Sequence, residues 1–99
     1  MKKNIRIEID SYGSIFSRYL ELENEAVDLD YDSNRKIHIK NLPDYEIEGN
    51  LDIYIKCRGK NGAYCTLKVF LDKDKKPKIK KKLVMKDGGN KKIISYKIS

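Results

Sequence analysis

The stretch LDIYIKCRGKNGAYCTLKVFL, residues 51–71, alternates apolar and polar side chains on both sides of a short run rich in Gly and Asn. Alternation with period two places one set of side chains on a buried face and the other in solvent, the mark of a half-buried β-strand. The loop length then fixes the register. A two-residue Asn-Gly turn would split the apolar residues between faces. A three-residue loop, Lys60-Asn61-Gly62, keeps them together and pairs Leu51 with Leu71, Ile53 with Val69, Ile55 with Leu67 and Cys57 with Cys65. The expectation is a hairpin whose two cysteines are cross-strand neighbours, within reach of a disulfide if oxidised and two small core thiols if not.

The same pattern extends over the chain. Strands are expected near 4–10, 18–23, 26–31, 36–41, 50–57, 63–71, 78–86 and 92–98, separated by Gly, Asn and Asp. One stretch, SIFSRYLELENEA (14–26), also fits a helical face through Ile15, Phe16, Tyr19 and Leu20, so a short helix near 14–24 is the alternative there. Short strands with turns every 8–12 residues predict an all-β fold: a single-domain antiparallel β-sandwich over 1–99, seven to eight strands, loosely immunoglobulin-like in architecture.

Two further hairpins follow from turn chemistry. In DLDYDSNRKIHIK (28–40), a Ser33-Asn34-Arg35 loop sets Tyr31 opposite Ile37 inside, and Asp30 opposite His38 outside. The aspartates then form a ladder neutralised by cross-strand partners rather than a calcium loop, whose sixth-position Gly and twelfth-position Glu are here Ser33 and Ile39. In the lysine-dense run 72–92, a Gly88-Gly89 turn pairs Leu83 with Ile94 and Ile79 with Ile98. Lys81 falls in that inward row, as in edge strands that resist further pairing.

Composition narrows the function classes. At 99 residues with 39% hydrophobic and 37% charged residues, the chain is of globular character. No apolar stretch approaches the roughly 20 residues of a membrane span. MKKNIRIEID begins with two lysines, as a signal peptide would, but Arg6, Glu8 and Asp10 interrupt any apolar segment, so a cytoplasmic location is expected. Lysine, Ile, Asn and Tyr abound, as in AT-rich bacterial or phage genomes. The two cysteines lack companions at zinc spacing, and neither a metal nor a cofactor is expected. One histidine, no glutamine and no P-loop, nucleophile elbow or HExxH motif point to a non-enzymatic protein.

Charge is unevenly placed. Residues 1–55 carry seven Lys/Arg against twelve Asp/Glu, whereas 56–99 carry fifteen against three, within an overall +7. Under the third hairpin's register, Lys78, Lys80, Lys82, Lys86, Lys91 and Lys97 surround Val84 and Ile93 on one outer face with no acid among them. That face suits an acidic protein surface, in the manner of an inhibitor, immunity or assembly protein. The alternative is a nucleic-acid module: the first hairpin's register groups Tyr54, Lys56, Arg58, Tyr64, Lys68 and Phe70, aromatics interleaved with bases that could stack and pair with a single strand.

Overall fold

The computed structural model describes residues 1–98. It is all β, and its nine strands are β1 (Lys2–Tyr12), β2 (Ile15–Leu22), β3 (Glu25–Ala26), β4 (Asp30–Asp32), β5 (Ile37–Glu46), β6 (Asn50–Gly59), β7 (Tyr64–Leu71), β8 (Ile79–Val84) and β9 (Gly89–Lys97). A five-stranded sheet, β4-β5-β1-β7-β8, packs on a four-stranded sheet, β3-β2-β6-β9, and all neighbours are antiparallel. The expected β-sandwich is therefore found. The segment with helical alternation is strand β2, because Leu20 and Leu22 face the core beside Ile55 and Ile53.

Burial follows the alternation closely. Ile5, Ile7 and Ile9 of β1, Leu51, Ile53, Ile55 and Cys57 of β6, and Cys65, Leu67, Val69 and Leu71 of β7 all lie in one core cluster. The inner faces read from 51–71 are thus the inner faces of the fold. Their pairing is not. β6 bonds to β2 and β9, whereas β7 bonds to β1 and β8, so the two strands lie in different sheets and face each other across the core. The expected hairpin is an inter-sheet connection.

The third hairpin resolves the same way. β8 pairs with β7 and β9 with β6, so Leu83 lies opposite Cys65 and Ile94 opposite Ile53. Only one bridge, Lys86 to Gly89, closes the Asp87-Gly88 turn. The two connections lean on each other: Gly59 N–H donates to the Gly88 carbonyl (3.0 Å), Met85 N–H to Ala63 (2.8 Å) and Gly62 N–H to Met85 (3.1 Å). Backbone groups that a hairpin would have satisfied locally are satisfied by the neighbouring crossover.

The second hairpin forms, shifted by one residue. Asp30 pairs with Ile39, Tyr31 with His38 and Asp32 with Ile37, leaving a four-residue loop, 33–36. The Asp32 carboxylate accepts from the Asn34 and Arg35 N–H groups (3.0 and 3.2 Å), and Lys36 takes a positive φ of 57°. That side-chain turn consumes the extra residue. His38 consequently lies against the Tyr31 ring, 5.0 Å between centroids, rather than beside Asp30.

Candidate functional site

The crossovers redistribute both candidate faces. Lys80, Lys82 and Val84 stay with β8 on the five-stranded sheet, whereas Lys91, Ile93 and Lys97 ride on β9 in the other sheet. Lys78 sits before β8, 3.8 Å from Asp74, and Lys86 lies in the turn. The eight residues therefore do not share one face. Of the aromatic set, Tyr54, Lys56 and Arg58 lie on β6, and Tyr64, Lys68 and Phe70 on β7, again in opposite sheets.

What the fold does assemble is a basic groove on the outer face of the five-stranded sheet. Six cations line it, Arg6, Arg35, Lys68, Lys75, Lys76 and Lys80, with Glu8, Phe70 and Pro77 completing a space of about 580 Å³. Alternation along β1 sends Arg6 and Glu8 outward because Ile5, Ile7 and Ile9 take the core. Lys68 lies opposite Glu8 on β7, and Lys80 opposite Lys68 on β8, so one row crosses three strands.

The acids near the groove are already engaged. Glu8 is buried and receives a two-pronged contact from Arg35 (3.0 and 3.1 Å) and another from the Arg6 Nε (3.1 Å). The Arg35 guanidinium is pushed above its ordinary pKa by the Glu8 hydrogen bonds and charge. Asp10 holds Lys68 at 3.2 Å. In the loop between β7 and β8, Asp72 accepts from the Asn4 N–H (3.1 Å) and Lys3 (3.1 Å), which lower its pKa, and Asp74 contacts Lys78. Those aspartates turn the loop onto the sheet, leaving Lys75, Lys76, Lys80 and Lys82 without an acidic partner among the described residues.

The rings are engaged too. Arg6 covers Phe70 at 4.2 Å from the ring centre, and Phe70 is buried. Tyr64 stacks on Tyr12 (5.1 Å between centroids) and carries the Lys82 ammonium at 4.0 Å. On the other sheet Tyr54 meets Tyr19 edge to face at 6.1 Å, beside an exposed Ile93.

A second polar cluster sits between the sheets. Register places Arg18 beside Cys57 on one sheet and Ser11 beside Cys65 on the other, and Arg18 donates across to the Ser11 Oγ at 3.0 and 2.8 Å. The Ser11 Oγ lies 3.7 Å from the Cys65 Sγ. Cys57 and Cys65 are therefore neighbours, but through the sandwich rather than along a hairpin. The interaction between the two thiols, with Ser11 and the Arg18 charge, lowers the pKa of Cys65, while the same interaction and burial push Cys57 up. Burial first, then Arg18, lowers the pKa of His38.

Sequence reasoning found Lys68, Phe70 and Lys80 but missed Arg6, Glu8, Arg35, Lys75 and Lys76. Alternation marks Arg6 and Glu8 as outward, and nothing local shows that β1 is a central strand or that Arg35 folds over it. Among the described residues no group of three or more His, Cys, Asp or Glu could hold a metal ion. Among the same residues no helix is long and apolar enough to cross a membrane. Comparison with protein-family models, with curated proteins and with solved structures returned no match.

Proposed function

We propose that the protein is a non-enzymatic binding protein whose basic groove takes an acidic segment of another protein. The observation that carries this reading is the surplus of cations around a groove whose carboxylates and rings are internally committed. Guanidinium and ammonium groups held on a rigid sheet offer charge-assisted hydrogen bonds to carboxylates. Single-strand recognition leans instead on exposed rings that stack bases. Here Phe70 lies under Arg6, and Tyr64 between Tyr12 and Lys82.

The test is anisotropy titration of a labelled Asp/Glu-rich peptide and of a mixed-sequence single-stranded oligonucleotide at about 20 mM salt, where screening is weak. The peptide is expected to bind, to release as salt rises, and to lose at least tenfold in affinity with Lys75→Glu and Lys76→Glu. Tighter binding of the oligonucleotide, with a steep salt slope, would transfer the groove to nucleic acid. No binding of either probe overturns both readings.

A further inference from the structure

Each sheet of the sandwich ends in one acidic edge and one basic edge. In the five-stranded sheet the edges are β4, Asp30-Tyr31-Asp32, and β8, with consecutive exposed lysines Lys80, Lys81 and Lys82. In the four-stranded sheet they are β3, with Glu25, and β9, with Lys91, Lys92 and Lys97. The charge imbalance between the two halves of the chain has become a polarity across the molecule.

The geometry of the larger sheet makes that polarity self-complementary. A single row crosses it on the outer face: Asp30, Ile39, Glu8, Lys68, Lys80. Its ends are an aspartate and a lysine. Five alternating antiparallel strands leave β4 and β8 running in the same direction, with Asp32 two residues beyond Asp30 and Lys82 two residues beyond Lys80. A second copy displaced along the row therefore brings its β4 parallel to β8, with Asp30 against Lys80 and Asp32 against Lys82. Tyr31, 58% exposed, then lies beside Lys81, whose ammonium can rest on the ring. The unpaired backbone flanks of both edge strands meet at the same time.

Like edges repel. Two β8 strands would set lysine against lysine, and two β4 strands aspartate against aspartate, which costs free energy rather than supplying it. The contact is directional and open-ended, so copies add head to tail instead of closing into a two-fold dimer.

We infer that β8 of one copy receives β4 of the next, extending the five-stranded sheet from molecule to molecule. Lys80 also lines the groove, but Lys75 and Lys76 take no part in the contact, so substituting them separates the two. The experiment is sedimentation velocity over a concentration series at about 20 mM and about 500 mM salt, on either side of effective screening. Wild type is expected to exceed the 11.6 kDa of one chain at low salt and to return to it at high salt. Lys80→Glu with Lys82→Glu, and separately Asp30→Lys with Asp32→Asn, should each remain monomeric with near-native circular dichroism. Asn at position 32 keeps the loop acceptor. An equimolar mixture of the two variants should associate again, because each then presents the edge the other lacks. Lys75→Glu with Lys76→Glu should associate like wild type. A wild type that is monomeric throughout, variants that self-associate unchanged, or a mixture that stays monomeric would overturn the inference.

Discussion

Glu8 shows how a residue of unremarkable pattern becomes central. It lies between Ile7 and Ile9, and alternation assigns it to solvent. In the fold it is buried on the outer face of the middle strand, under Arg6 and Arg35. Glu8→Gln should lower unfolding stability by about 2 kcal/mol, the range for hydrogen bonds to a charged group, because the amide keeps the shape and loses the charge. Urea denaturation with an unchanged m-value checks it. Arg35→Ala should cost less than Glu8→Gln, since Arg6 still answers the carboxylate. His38 gives a pH signature. Burial and Arg18 favour its neutral form in the folded state, so its contribution is present above the unfolded pKa of about 6.5 and is lost as pH falls through the lower folded value. Wild type should therefore lose stability between pH 7 and pH 5 more steeply than His38→Asn, measured by denaturant midpoints. A parallel fall in both would remove His38 from that dependence.

At the scale of strands, alternation and turn chemistry specify faces far better than partners. Every apolar residue assigned inward on 51–57 and 65–71 is in the core, and the inward Lys81 does mark β8 as an edge. The two hairpins read from 51–71 and 78–98 fail for one physical reason. Strands whose inner faces must meet satisfy the same pattern whether they pair side by side or face each other across a core. The groove was illegible for the same reason, since its row depends on which strands are neighbours. Gly59 ends β6 where the first connection begins, packed tightly against the turn between β1 and β2. A Cβ there would overlap the Ser14 carbonyl oxygen, and Ser14 also accepts from the Lys60 N–H at 2.9 Å. Gly59→Ala is expected to destabilise by about 1–3 kcal/mol, the usual cost of overpacking, whereas Gly62, with a φ of 90° and open space around it, should respond mainly through backbone strain. Thermal unfolding of both variants separates the two causes.

For the molecule as a whole, the split between an acidic first half and a basic second half was plain in the sequence, but its placement on opposite flanks required the strand order. One consequence is unfavourable to the fold itself. Lys68 stands opposite Lys80, and Lys56 opposite Lys91. Lys91→Glu should raise stability by about 0.2–1 kcal/mol by turning a like-charge pair into an opposite one, read as a higher melting temperature at low salt that shrinks as salt rises. The strand order also bears on how the chain reaches this state. β1 is made first and becomes the centre of the larger sheet, yet its partners β5 and β7 begin at Ile37 and Tyr64. The centre of the other sheet waits for β9, at the far end of the chain. Pairings between such distant segments close large loops before contacts repay them, and a relaxation time of milliseconds to seconds is the expected range. During synthesis, the first strand emerges as an isoleucine-rich ribbon, one flank of which stays open until β5 has been made and the other until β7 has followed.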